Sequence, residues 1–156
     1  MFGIQESEEQ RDERFMRQAL EEAREAFDRG EIPVGAVIES QNRVIARGHN
    51  MTEALNDVTA HAEMIALTSA ANNTGGKYLP KCTIYVTVEP CTMCAGALGW
   101  SQIGRIVYGA PDTKRGFFSC VNPEQSPIHP KTRITGGVLE EECTALMKDF
   151  FKRLRR

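Results

Sequence analysis

Thr83-Ile84-Tyr85-Val86-Thr87-Val88-Glu89-Pro90-Cys91-Thr92-Met93-Cys94-Ala95-Gly96-Ala97-Leu98-Gly99-Trp100 is the stretch on which the fold turns. Its first six residues are all β-branched or aromatic, as in a strand packed on both faces. Pro90 follows, where proline suits the start of a helix. Residues 91–100 then predict that helix, and residues 105–108 predict the next strand. Upstream, residues 34–38 and 44–46 are β-rich runs separated by Ser40-Gln41-Asn42, which reads as a hairpin. Thr59 is the expected N-cap of a second helix running to about Asn72, stopped by Gly75-Gly76. Strand–helix–strand units of this kind cover a sheet with helices, so the expected architecture is a three-layer α/β/α domain around a mixed sheet of about five strands.

The flanks complete it. Phe15, Met16, Ala19, Leu20, Ala23, Ala26 and Phe27 recur at helical spacing and end at Gly30. Residues 133–135 predict a short strand. Residues 138–154 predict a last helix with Leu139, Leu146, Phe150 and Phe151 inward. Residues 111–130 are rich in Pro, Gly, Asn and Ser and predict a long, partly ordered loop, a length usually kept for function. The expected layout is a flexible acidic tail over residues 1–13 and a single domain over residues 14–156.

Two short motifs carry the chemistry, Thr59-Ala60-His61-Ala62-Glu63 and Glu89-Pro90-Cys91-Thr92-Met93-Cys94. Positions i and i+3 share a helix face, so the sulfurs of Cys91 and Cys94 can reach one ion. In a first helical turn the unpaired N–H groups favour the thiolate, which is the metal-binding form. His61 opens another helix after its own strand, and such helix starts gather at one edge of an α/β sheet. The set is then one nitrogen and two sulfurs. Structural zinc sites usually close with four protein ligands, whereas catalytic ones keep a position for water. Glu63 is near enough to move protons without being a ligand. Either motif alone has plainer readings: a redox pair, half a structural zinc site, a chance H-x-E. Together, H-x-E followed by P-C-x-x-C is the recognised signature of zinc deaminases acting on nucleobases.

Composition fits. The chain has 156 residues, 41% of them hydrophobic, which is enough for one domain. No apolar run approaches the roughly 20 residues that span a bilayer. Residues 1–14 carry no hydrophobic segment of a secretory signal, and five cysteines, an odd number, suit a reducing compartment. Cys82, Cys120 and Cys143 are expected to be small buried hydrophobes. Net charge is −2, so no global basic field points to nucleic acid, yet residues 152–156 hold four cations.

From about Arg14 to Arg155 the chain resembles the bacterial tRNA-specific adenosine deaminases. The resemblance is carried by Glu31-Ile32-Pro33-Val34-Gly35-Ala36-Val37, Gly48-His49-Asn50, the two motifs above, Cys94-Ala95-Gly96-Ala97-Leu98 and Asp112-Thr113-Lys114-Arg115-Gly116. It implies one Zn2+ per chain on His61, Cys91 and Cys94, and Glu63 as the catalytic proton shuttle. It implies conversion of the wobble adenosine of a tRNA anticodon stem-loop to inosine by a cytoplasmic homodimer with no membrane association. It also makes Asn50 a contact to the flipped base, Asp112 and Lys114 contacts to the RNA near it, and the basic C-terminus a source of phosphate contacts; Lys131 is expected to add another. Two places depart from the family pattern. Phe117-Phe118 replaces small residues after Gly116 and could stack on anticodon bases or pack within the protein, and His129-Pro130-Lys131 replaces an Asn-His-Arg run. The alternative activity is deamination of free guanine or cytosine. A zinc-stabilised, non-catalytic partner subunit is a third reading, against which Glu63 argues, because binding alone needs no proton shuttle.

Overall fold

The computed structural model describes residues 5–155. In chain order the elements are α1 (Glu8–Asp28), β1 (Gly35–Ser40), β2 (Arg43–His49), α2 (Ala62–Thr74), β3 (Thr83–Val88), α3 (Thr92–Ser101) and β4 (Arg105–Ala110). A short α4 (Phe117–Cys120), a single 3₁₀ turn (Pro123–Gln125), β5 (Arg133–Thr135) and α5 (Glu140–Leu154) follow. The five strands form one mixed sheet in the order β2-β1-β3-β4-β5. β1 is antiparallel to both neighbours, and β3, β4 and β5 run parallel.

Alternation along the strands builds the three layers. Ala36, Ile38, Ile84, Val86 and Ile106 face one side, where Ala62, Ala66 and Ala70 of α2 and Ala95 and Leu98 of α3 cover them. Val37, Tyr85 and Val107 face the other, under Phe15, Met16, Ala19 and Leu20 of α1 and Cys143 of α5. Small alanines let α2 lie close. A side chain on Gly48 would come within 2.6 Å of the Ala62 carbonyl, so only glycine fits beneath the first turn of α2. The β1–β2 turn is tighter than expected, two residues, with Gln41 and Asn42 both at positive φ as a primed hairpin turn requires.

Several boundaries differ from the sequence expectation. Residues 8–13 are helical, not a tail: Ser7 caps α1 by accepting from Gln10 N, and the Gln10 side chain bonds Ser7 N in return. Residues 1–4 of the expected tail lie outside the described residues. Buried Asp12 then accepts both Nη groups of Arg105 at 2.7 Å and the Tyr85 hydroxyl at 2.9 Å, tying α1 to β3 and β4. The N-cap of α2 is His61, not Thr59: residues 57–60 form their own turn, in which Asp57 accepts from Thr59 N and Oγ and from Ala60 N, and the helix begins only at Ala62. In α5, Cys143 and Phe150 are buried, but Phe151 stays 38% exposed. Cys82 and Cys143 are buried as expected, whereas Cys120 is exposed.

Parallel order also decides where the ligand-bearing segments meet. The C-terminal ends of β3 and β4 open at one edge of the sheet. Because β1 is antiparallel, its start (Gly35) and its partner His49 at the end of β2 lie at that same edge. Residues 31–34, 50, 89–91 and 111–115 are thereby gathered together, the usual place for a ligand on an open α/β sheet.

Candidate metal centre and active-site cavity

His61 is the N-cap of α2, Cys91 is the N-cap of α3, and Cys94 lies in the first turn of α3. His61 Nδ1 is 3.6 Å from Cys91 Sγ and 3.5 Å from Cys94 Sγ. All three donor atoms lie within 4.8 Å of one another, the only such group among the described residues. The electrostatics match a cation site. The Cys91 thiol is pushed down to about 4, chiefly by a hydrogen bond from the Cys94 thiol and then by His61. The same bond, with burial, raises Cys94. His61 is raised by its bond to Cys91. Two thiols holding one proton against an imidazole are a donor set that a divalent ion would complete by displacing protons. One nitrogen and two sulfurs suit zinc in particular, with a fourth position free for water.

Glu63 sits in the first turn of α2 and is 3% exposed. Burial is the main cause that pushes its carboxyl up to about 7. A cavity of about 1100 Å³ opens above these groups. His61, Glu63 and Cys91 line its floor, Asn50 and Val34 one wall, and Asp112, Thr113, Lys114 and Arg115 the opposite wall. It continues along α5 past Met147, Lys148, Phe151 and Arg155.

Asn50 is buried. Its Nδ2 donates to the Ile32 carbonyl at 3.3 Å and its Oδ1 accepts from Thr52 N at 3.3 Å, so one N–H and one lone pair remain for the cavity. Asp112 accepts from the backbone of Lys114 and Arg115, both at 3.0 Å, and so shapes the wall from which the exposed Lys114 projects.

The loop of residues 111–130 is more ordered than expected and faces the cavity only in its first half. Phe117 is 3% exposed in the core under α3, and Phe118 stacks on Tyr108 at 5.7 Å. Of the two uses open to this aromatic pair, packing within the protein is the one seen. The second half returns along α3, where Gly99 meets Pro127. Lys131 therefore precedes β5 at the opposite edge of the sheet, where Thr132 bonds the Ile103 carbonyl, and does not line the cavity. At the basic C-terminus, Arg155 lines the cavity, Arg153 pairs with Asp149, and Arg156 lies outside the described residues.

Besides Asp12, two buried carboxylates escaped sequence reasoning. Glu31 accepts from Glu53 N and Ala54 N, and Glu89 accepts from Asp112 N, Ser119 N and Ser119 Oγ. Their partners are 22 to 30 residues away, beyond any local pattern, although an acid at the end of an apolar strand marks Glu89 out.

Residues 9–110 match the family model described as the cytidine and deoxycytidylate deaminase zinc-binding region. The chain is 39% identical to the tRNA-specific adenosine deaminase of Bacillus subtilis, over 93% of its own length and 91% of that protein's. Among solved structures it is similar to one from work on A-to-I editing by tRNA:A34 deaminases at the wobble position of transfer RNA, at 44% identity and a TM-score of 0.77, covering 85% of this chain and 98% of that one. It is also similar to guanine deaminase from Bacillus subtilis, at 39% identity and a TM-score of 0.62, covering 65% of each chain.

Proposed function

The chain belongs to the cytidine and deoxycytidylate deaminase zinc-binding family, and from that premise we propose that it is a tRNA adenosine deaminase, hydrolysing the wobble adenosine of an anticodon loop to inosine and ammonia. The observation that carries this reading is identity with tRNA adenosine deaminases over nearly the whole of both chains. The cavity agrees with it: it runs on from the metal ligands along α5, giving room for more than a single base.

His61, Cys91 and Cys94 would hold one zinc per chain, which when bound would supply Lewis acidity and bring the pKa of water to about 7. Glu63, at the cavity floor, takes one proton from water as the water oxygen bonds the purine C6, and passes it to the ring nitrogen. It then takes the second proton from the new C6 hydroxyl and gives it to the amino group as the C6–N bond breaks and ammonia leaves. Asn50 presents its free N–H and lone pair to the purine edge. Asp112 fixes the backbone of the opposite wall, and Lys114 meets phosphate. The adenosine enters unstacked, which a loop nucleotide permits cheaply. A homodimer fits the outer face of α3, where Met93 and Trp100 are exposed, at 37% and 85%, and nothing crowds Gly96. No helix among the described residues is long and apolar enough to cross a membrane. All five cysteines are free, which suits the reducing cytoplasm where tRNA is found.

Guanine deamination is a second reading, favoured by the likeness to the Bacillus subtilis enzyme, although that likeness covers only 65% of each chain. Nucleoside analysis of an anticodon stem-loop after incubation tests the main reading. Inosine at the wobble position is expected, and unchanged adenosine there, with ammonia released from guanine instead, would decide for the second.

A further inference from the structure

Glu89 occupies the junction between the end of β3 and the metal-ligand segment, and it is 3% exposed. Its carboxylate is filled by donors from one loop: Oε1 accepts from Asp112 N at 3.1 Å and Ser119 Oγ at 2.8 Å, and Oε2 from Ser119 N at 2.9 Å. Gly116 lies directly over the carboxylate, and a Cβ there would collide with Oε2, so the loop closes on Glu89 only with glycine at that position. The backbone doubles the link. Glu89 N donates to the Ala110 carbonyl and Phe117 N to the Pro90 carbonyl, each at 2.8 Å, and Cys91 bridges Gly116. One further step out, Asp112 holds the backbone of Lys114 and Arg115.

We infer that Glu89 is a positioning residue, which sets the cavity wall of residues 112–115 relative to the metal ligands and so fixes the RNA-binding geometry of the site. It borders the cavity, but both its oxygens are occupied by loop donors, and it acts through Asp112 and Lys114. The inference rests on the tRNA reading above. A carboxylate is required because every partner is a donor. In either orientation of a glutamine amide, one loop N–H would face another donor.

Glu89→Gln should raise KM for an anticodon stem-loop about tenfold, the scale of one lost charge-assisted hydrogen bond, with kcat within about threefold of wild type. Zinc content should stay stoichiometric. A KM within about twofold of wild type overturns the inference, since that is far below the same lost bond. So does loss of zinc with a collapse of kcat, which would make Glu89 a support for the metal helix alone. Should Glu89→Gln not fold, Ser119→Ala removes one bond from the outside. It should raise KM by about two- to threefold, as for a neutral hydrogen bond, and an unchanged KM counts against the proposal. Hydrogen exchange of the residue 112–119 amides is read in the same proteins. Wild type that leaves the stem-loop untouched refutes the tRNA reading. In that case unchanged exchange at Asp112 and Ser119 in Glu89→Gln refutes the positioning role, and faster exchange there upholds it.

Discussion

Two acids are buried at opposite edges of the same sheet, and they are treated differently. Asp12, where β4 begins, is 4% exposed and gripped by the Arg105 guanidinium and the Tyr85 hydroxyl. Glu63, where β3 and β4 end, is 3% exposed, and burial dominates its chemistry, leaving its carboxyl near 7. The closed edge neutralises its charge within the protein and joins α1 to the sheet. The open edge keeps an acid ready to exchange protons beside three metal donors. Similar burial gives a brace in one place and, on the proposed function, a reagent in the other: Asp12 is gripped by a permanent cation, whereas His61 beside Glu63 offsets its burial only in part.

The largest effect expected from disturbing the open edge is loss of the metal. Cys91→Ala or Cys94→Ala should abolish zinc and activity together. Metal analysis finding stoichiometric zinc in both variants would rule out the site. Next comes Glu63→Ala, which should keep zinc and RNA binding but lose roughly 10²–10⁴-fold in rate. Retention of more than about a tenth of the wild-type rate excludes Glu63 as the proton shuttle.

Disturbing the closed edge should leave chemistry alone and cost stability. Asp12→Ala leaves the largely buried Arg105 with only the more exposed Glu8 as an acidic partner, at 3.2 Å, and should cost about 3 kcal/mol in denaturant unfolding, with kcat of the folded fraction unchanged. A large fall in kcat instead would break the division between brace and reagent.

A buried thiol sharpens that division. Cys143, 1% exposed between α5 and β4, is held neutral, its thiol pushed up to about 12 by burial. A folded pKa above the ordinary value of 9 means that stability is fully present below pH 9 and is lost as pH rises toward 12. At pH 10 the loss should be about 1 kcal/mol. Cys143→Ala should flatten the stability profile over that interval, and an identical slope in the variant would contradict the assignment.

The smallest effect concerns the rim. Removing residues 152–156 should weaken stem-loop binding several-fold and flatten its salt dependence, by roughly 0.7 in slope for each phosphate left without its cation. Chemistry on saturating RNA should persist. A salt slope equal to that of the full chain would show that the basic end neutralises no phosphate.

The β3–α3 stretch was legible because alternation, a proline at the helix start and an i, i+3 cysteine pair are all local. So were His61 and Glu63. The N-terminal turn of α1 was also written locally, in the reciprocal Ser7–Gln10 cap, but polar composition hid it. Thr59 has the type and place of a cap, but it belongs to the preceding turn, where it donates to the Asp57 carboxylate, and the cap falls two residues later, at His61. Glu89 and the split of the 111–130 loop were illegible for a different reason. They depend on contacts across the sheet edge, such as Glu89 with Ser119 and Gly99 with Pro127, which no window along the chain contains.

What the open edge deaminates is the central claim. The most direct measurement compares kcat/KM of the zinc-loaded protein for an adenosine-bearing anticodon stem-loop with that for free guanine and cytosine. The stem-loop should be preferred, with inosine formed at the wobble position and its formation abolished by Glu63→Ala. A higher kcat/KM for guanine or cytosine would contradict the assignment and make this chain a free-base deaminase.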